Sequence, residues 1–375
     1  MTEELRESPL DAGWRTQAAR AQEHALPVGR VVVSCQAPLG VGGLGRHVQE
    51  ILDALDRAGR PSVHIGGESE DPATGARRRV DRFTLAKAVS PLVRFSPAAR
   101  VRLASARFDV RAAARLGAGD HLIAFNGTAL AQFRAARRAS FQSLALVSAN
   151  SHIQQVVERH AQAYRQYPVE RPWATRIVGR NLREYALADR VYVASRYIWE
   201  SFVQRGHAEE TLSFFPLTPD PRYRPAPAPS ASPTFDVVYI GSLLVHKGVP
   251  LLLDAFARLP YEDLRLVLVG GWKTHSMRHY VERACAADSR IAVRPGDPLT
   301  QLRSARLCVH PAYEDGFAYA PAEAIACGVP VLVSEDTGMK ELIDGENVGR
   351  VLPSGDVDAL AEAIEAAYRG EILSG

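Results

Sequence analysis

Two carboxylates and one lysine occupy the places in this chain where chemistry is easiest to build. Asp315 and Glu323 lie eight residues apart within the run from Leu307 to Leu352. The apolar stretch Leu307 to Val309 predicts a buried parallel strand, and the polar, glycine-bearing loop His310 to Phe317 follows it. Pro321 to Ala326 reads as the start of a helix with Glu323 inside it. Cys327-Gly328 stops that helix, and Val329 to Val333 begins the next strand. Strand, loop, helix and strand make the crossover unit of a doubly wound sheet. Ligands of such sheets sit beyond the carboxyl ends of the strands, against helix N-termini. Gly316 lets the backbone come close to a ligand, and the amides at the helix start suit a phosphate or a sugar hydroxyl. Read alone, the two acids fit equally well as an N-cap region and a first-turn acid, both favoured by the helix dipole.

Lys247 stands at a second junction of the same kind. A strand, Phe235 to Ile240, precedes it, and an amphipathic helix carrying Leu251, Leu252, Ala255 and Phe256 follows. A lysine there is a point charge for a phosphate, although a solvated surface lysine has the same spacing. The 45 basic residues include four lysines, Lys87, Lys247, Lys273 and Lys340. Where arginine usage is that strong, a retained lysine points weakly to a need for lysine.

Further candidates are single features. Gly40 to Gly45 spells G-x-G-x-x-G between a strand, Val31 to Cys35, and an amphipathic segment, Gly45 to Ala58. One reading is a nicotinamide-binding loop with Glu68 on the ribose. That fingerprint needs the first glycine tight against the strand, and Gln36 to Leu39 intervene here. Another reading needs glycine only for the turns. His152 follows the strand Leu144 to Val147, where a histidine either faces a cleft edge or caps the loop. Arg294 follows the strand Ile291 to Val293 and is a candidate neighbour of a base or ribose. Asp356-Val357-Asp358 opens the last helix, Val357 to Tyr368, and reads as an N-cap and not as a metal site.

The elements that must position these residues repeat one pattern. His121 to Phe125 and Arg190 to Ala194 are further buried strands, with helices over Arg176 to Ala188 and Ile198 to Arg205. Residues 1–27 read as a polar leader or a loosely attached helix. Pro216 to Pro233 holds seven prolines in eighteen residues and reads as a stiff connector. The expected division is therefore a leader (1–27), an N-terminal domain (28–215), a linker (216–233) and a C-terminal domain (234–375). At 375 residues, 46% hydrophobic and 23% charged, the chain suits two soluble globular domains. Its four scattered cysteines show neither metal spacing nor a disulfide framework and fit a reducing cytoplasm. No apolar run is long enough to span a bilayer, and no signal-peptide core is evident.

Charge is divided unevenly. Residues 231–375 carry 13 basic and 20 acidic side chains, a balance of −7, against +10 for the rest. Arg77 to Arg115 interleaves arginines with Leu92, Val93, Phe95, Val101, Leu103 and Phe108, and Arg134, Arg137 and Arg138 add a second cluster. A basic first half fits an anionic partner such as a membrane surface, or simply a solvated arginine-rich face. No nucleic-acid partner is expected.

The stretch EDGFAYAPAEAIACGVPV, followed by SEDTG, resembles the donor-sugar motif of the retaining glycosyltransferases of family 4. The family pattern carries two acids eight apart, matched by Asp315 and Glu323, and usually a glycine where Ala318 stands. Its Gly-Arg-x(4)-Lys-Gly motif is matched at Lys247, with Ser242 in place of the arginine. Gly42 and Gly43 match its N-terminal glycine loop. The resemblance implies the GT-B fold, two doubly wound parallel-sheet domains facing across a cleft. It also implies transfer of a sugar from a UDP- or GDP-linked donor to an acceptor hydroxyl, with retention and without cofactor or metal. Lys247 and backbone amides would neutralise the leaving diphosphate, whose oxygen helps take the acceptor proton. Asp315, Gly316, Phe317 and Ala318 would hold the sugar, and Glu323 the ribose. Thr337 and Gly338 would touch the diphosphate, and His152 would lie near the reacting sugar. Members with lipid-linked acceptors use a basic face to sit peripherally on a membrane, here the inner face. Two rival readings are a nicotinamide-dependent oxidoreductase and a GT-B partner subunit that binds a nucleotide sugar without turnover.

Overall fold

The computed structural model describes residues 12–66, 77–79, 97–225, 233–343 and 348–371. Glu68, Leu92, Val93 and Phe95 lie outside these residues, as do 226–232 of the proline connector. The described chain forms two compact units. One comprises 17–155 with 173–217, and the other includes 156–172 with 218 onward. The range 28–215, expected as one domain, thus contains a segment that packs with the second unit.

The first unit is built on a seven-stranded parallel sheet. Its strands are β1 (Val31–Cys35), β2 (Ser62–Gly66), β3 (Arg77–Arg79), β4 (His121–Phe125), β5 (Ser143–Ser148), β6 (Arg190–Val193) and β7 (Leu212–Phe214), in the order β3-β2-β1-β4-β5-β6-β7. β1 and β4 are buried along their whole length, which is why both read as mainly apolar and not as alternating. The polar leader is in part a helix, Ala12–Ala25. Within the first unit Ala18 is buried, the Gln22 amide donates to the Pro216 carbonyl at 2.7 Å, and the Tyr192 hydroxyl donates to the Ala25 carbonyl at 2.9 Å.

The second unit has a six-stranded parallel sheet. Its strands are β8 (Phe235–Ile240), β9 (Leu264–Val269), β10 (Ile291–Val293), β11 (Leu307–His310), β12 (Val331–Ser334) and β13 (Gly349–Leu352), in the order β10-β9-β8-β11-β12-β13. Tyr239, Phe256, Leu268 and Ile364 pack its core, and the helix Ile153–Gln166 adds Ala163 and Tyr164. His160, Ala163, Tyr164 and Tyr167 recur at helical spacing, so that one face of this helix meets the second unit.

Each sheet reverses its strand order once, between β1 and β4 and between β8 and β11. At such a switch point two neighbouring strands send their loops apart and leave a crevice at their carboxyl ends. Among the described residues, no helix is long and apolar enough to cross a membrane.

Candidate functional site

The switch point of the second unit brings Lys247 and Asp315 together. After β8 the chain turns through a short 3-10 turn, Val245–Lys247, into the helix Val249–Phe256. Gly248 joins the two at φ +74°, and a Cβ there would lie 1.9 Å from the Pro311 carbonyl oxygen. Only glycine allows this approach of the β8 loop to the β11 loop. Lys247 Nζ then reaches Asp315 Oδ2 at 2.8 Å and the Glu314 carbonyl at 3.1 Å. His310 Nε2, at the end of β11, lies 3.1 Å from the same Asp315 oxygen.

The loop after β11 is fixed on its other side by the loop after β12. The Asp315 amide donates to the Asp336 carbonyl at 3.1 Å, and the Gly338 amide donates to the Asp315 carbonyl at 3.0 Å. These bonds continue the β11–β12 pairing past the strand ends and set Asp315 beside Thr337. Thr337 caps the next turn, its hydroxyl accepting from the Met339 amide at 3.4 Å. Ala318 takes φ +64°, ψ +83° and starts the helix Tyr319–Ala326. The left-handed conformation explains why this position favours glycine, and alanine holds it under strain.

That helix begins earlier than the expected Pro321. Glu323 therefore lies in its second turn and is not a first-turn acid. Its side chain is 1% exposed. A carboxylate so far from water and from the helix start is not explained by the dipole.

Electrostatics sharpen the pair. Burial by itself would raise the Asp315 carboxyl, but the Lys247 ammonium and His310 outweigh it and hold the group well below the usual carboxylate range. Behind Lys247, burial drives His246 well below its ordinary pKa, and His160 and Lys247 reinforce the shift. Burial with Lys247 lowers His160 to about 3. The two imidazoles stack at 4.1 Å and stay neutral beside the one ammonium. The site thus holds a charged lysine–carboxylate pair with neutral aromatic groups behind it, an arrangement suited to receiving an anion.

The remaining candidates are placed as follows. Gly316, Phe317 and Ala318 are buried, Asp315 is partly exposed, and Phe317 packs edge-on to Tyr319 at 5.3 Å. Thr337 and Gly338 share the Asp315 loop contact described above. Ser242 lies in the loop after β8, where its carbonyl accepts the Tyr239 hydroxyl at 2.9 Å. Arg294 is exposed at the end of β10, the sheet edge. Two strand spacings of about 4.8 Å separate that edge from β8, so the sheet does not bring Arg294 to Lys247. Asp356 accepts the Ala359 amide at 2.9 Å and caps the last helix.

In the first unit, the helix after the glycine loop starts at Gly42, three residues before the expected Gly45. Gly42 and Gly43 are exposed in its first turn, where amides lack helical partners. The glycine required by packing is Gly45, whose Cβ would lie 2.1 Å from the Pro38 carbonyl. His152 is 1% exposed, and its ring lies among Tyr185, Phe202 and His207 at 4.9, 5.1 and 5.4 Å. Burial, with His207 and Arg205 nearby, lowers it to about 4, so it is neutral at pH 7.

Sequence reasoning passed over His310 and the helix Ile153–Gln166. His310 ends a strand five residues before Asp315, which was a usable signal. The helix carries its apolar residues at helical spacing, but nothing in the pattern tells which unit they face.

Residues 225–374 match the family described as glycosyl transferases group 1. The O-antigen chain mannosyltransferase B of Escherichia coli is 33% identical over 135 residues, which are 34% of this chain and 35% of that protein. The chain thus matches about a third of that relative's length. Among solved structures, the sucrose-phosphate synthase of Thermosynechococcus elongatus superposes with a TM-score of 0.68 at 20% identity, covering 91% of this chain and 90% of that one. HepE of Anabaena, solved in complex with UDP-glucose, gives a TM-score of 0.59 at 19% identity, with 92% and 90% covered. The nicotinamide-dependent reading is not favoured by these likenesses. The fold is GT-B, and its second unit carries a glycosyl transferases group 1 domain.

Proposed function

We propose that this protein is a retaining glycosyltransferase that moves a sugar from a UDP- or GDP-linked donor to an acceptor hydroxyl. The observation that carries the reading is the Lys247–Asp315 pair at the β8/β11 switch point, 2.8 Å apart beside the start of the helix Tyr319–Ala326. A diphosphate bound there meets the Lys247 ammonium and the amides that begin the helix. As the bond to the sugar breaks, negative charge grows on the diphosphate oxygen, and a fixed ammonium stabilises that charge more than it stabilises the intact donor. Lys247 supplies this charge without a metal. In the front-face course, the leaving oxygen takes the acceptor proton on the side where the new bond forms. Asp315 and the Gly316–Ala318 backbone orient the sugar, and Glu323 accepts the ribose hydroxyls. The likeness to HepE, solved with UDP-glucose, supports a nucleotide-sugar donor.

Calorimetry with UDP-, GDP-, ADP- and TDP-sugars and NAD(H), on wild type and Glu323→Ala, tests the reading. One nucleotide sugar should bind the wild type, and Glu323→Ala should abolish that binding. Binding of NAD(H) alone, indifferent to Glu323→Ala, would refute it.

A further inference from the structure

One segment touches five of the six strand-end loops of the second sheet, including the one that carries Lys247. Residues 156–172 pack in the second unit although they lie in the first half of the chain. Glu170 Oε2 accepts the Val245 amide at 3.0 Å, after β8, and its other oxygen accepts the Thr274 hydroxyl, after β9. Tyr313, after β11, donates its hydroxyl to Gln166 Oε1 at 2.7 Å. Arg159 pairs with Asp336, after β12, at 3.0 Å. Gln162 and Gln166 donate to the carbonyls of Ser354 and Gly355, after β13, at 3.3 and 3.0 Å. Five strand-end loops are thereby tied to one stretch of chain.

The grip is closest at the turn that carries Lys247. The residue at the N-cap of Val245–Lys247 is Leu244, whose side chain cannot accept a hydrogen bond. Glu170 supplies the missing acceptor from across the fold. The Tyr164 hydroxyl lies 3.2 Å from His246 Nδ1, and the His160 ring covers the other part of that imidazole. The turn is held at its first residue by Glu170, at its second by Tyr164 and His160, and is ended by Gly248. A carboxylate bonded to an amide inside protein forms a strong, directional contact. Burial raises the Glu170 carboxyl, against the Thr274 and Val245 hydrogen bonds.

We propose that residues 156–172 are the positioning element of the Lys247 site, and that Glu170 and Tyr164 are positioning residues that aim Lys247 at the donor diphosphate. This rests on the donor reading above. Neither side chain touches the ligand; each acts through the Val245–Lys247 turn.

The test uses the full chain and titrates UDP, GDP, UMP and GMP into wild type, Glu170→Ala, Glu170→Gln, Lys247→Ala and the Glu170→Ala/Lys247→Ala double variant. Glu170→Ala should weaken the diphosphate about tenfold and the monophosphate less, as expected when a charge-assisted bond that holds a ligand group is lost. Glu170→Gln should keep most of the affinity, because its amide oxygen still accepts from Val245. The double variant should bind no worse than Lys247→Ala, since one residue acts through the other. Losses that add, or a Glu170→Ala protein with a lower melting point and intact diphosphate affinity, overturn the proposal. If Glu170→Ala does not fold, Tyr164→Phe takes its place with the same expectations. A wild type that binds no nucleotide defeats the donor reading instead. The positioning claim is then decided by hydrogen exchange: Tyr164→Phe and Glu170→Ala must deprotect the amides from Val245 to Lys247 ahead of those of β8, and unchanged protection there overturns it.

Discussion

Both sheets reverse strand order at one place, yet the β1/β4 and β8/β11 switch points are equipped differently. At β8/β11 the loops present charged side chains, Lys247 and Asp315, each less than a fifth exposed. At β1/β4 the loops present backbone. Gly42 and Gly43 open a helix after β1, and the charges lie behind the loop after β4. There Glu184 accepts the Ala129 and Leu130 amides at 2.9 and 3.1 Å, and Asp109 accepts those of Ala131 and Gln132 at 2.8 and 3.0 Å. Arg180 bridges both acids. Buried acids can cap a helix or face a ligand, and the same crevice geometry serves either use. The lesson is that a switch point locates a crevice, while the side chains that reach past the strand ends decide what it can bind.

The largest test of that contrast is Lys247→Ala against Gly43→Ala. Removing Lys247 deletes the ammonium paired with Asp315 and leaves a partly buried carboxylate. Transfer, or donor hydrolysis, should fall by about 10²–10³ in kcat/KM, the range seen when one charge-stabilising donor is lost. Gly43 offers only an amide, which alanine retains, so Gly43→Ala should cost under about tenfold by the same measure. Equal losses would erase the distinction between the two crevices.

Next come the glycine locks. Gly248→Ala places a Cβ 1.9 Å from a backbone oxygen at positive φ, and Gly45→Ala places one 2.1 Å from another. Each should destabilise its unit by about 2–3 kcal/mol, since backbone on both sides must move. Urea melts read the stability, and nucleotide titration separates them: Gly248→Ala should also weaken diphosphate binding by shifting Lys247.

Acid should weaken both units through histidine. His47 is lowered to about 3 and His152 to about 4 in the first unit, and His160 to about 3 in the second, burial being the main cause in each. The folded chain keeps them neutral while the unfolded chain protonates them below about pH 6.5. Their contribution is complete above that pH and declines as pH falls toward 3–4, by about 1–2 kcal/mol per histidine at pH 5. Asp315 has the same sign of linkage in a more acid window. Its depressed carboxyl stabilises the fold above the ordinary carboxylate pKa, and that stability is lost only as pH falls through the lowered value. Denaturant melts at pH 7 and pH 5 should therefore show the histidine loss with the Lys247–Asp315 pair intact. A flat profile would mean that these imidazoles are hydrated.

Much of this was legible in the chain. Strands such as Val31–Cys35 and Ile291–Val293 are mainly apolar runs between turn residues, and their bounds follow from composition. Lys247 and Asp315 each stand out at a strand–loop–helix junction, although their pairing is seen only in the fold. What could not be read is assignment in space. The helix Ile153–Gln166 has an apolar face, but only the folded chain shows that it meets the second unit. Glu323 looked like a first-turn acid because Pro321 suggested a late start, and the helix accommodates that proline within its first turn. His152 had the position of a cleft residue, yet three aromatic neighbours make it a buried, neutral ring.

The smallest predicted effect compares two strained residues, one in each unit. Among the described residues, Ser140 and Ala318 are the non-glycine residues at positive φ, +57° and +64°. Both give up about 1 kcal/mol to the left-handed conformation. Glycine would remove that strain but add about 0.5 kcal/mol of unfolded-chain entropy, so each substitution should stabilise by roughly half a kcal/mol. In stability, then, Ser140→Gly and Ala318→Gly should look alike in a urea melt. In function they should differ. Ser140 ends an exposed turn after the helix Leu130–Arg138, remote in sequence from any strand-end loop at a switch point. Ala318 starts the helix that follows the Asp315 loop, and freeing its backbone should shift nucleotide affinity, while Ser140→Gly leaves it unchanged. If both variants alter binding, or neither does, the strain at Ala318 belongs to the fold alone and not to the site.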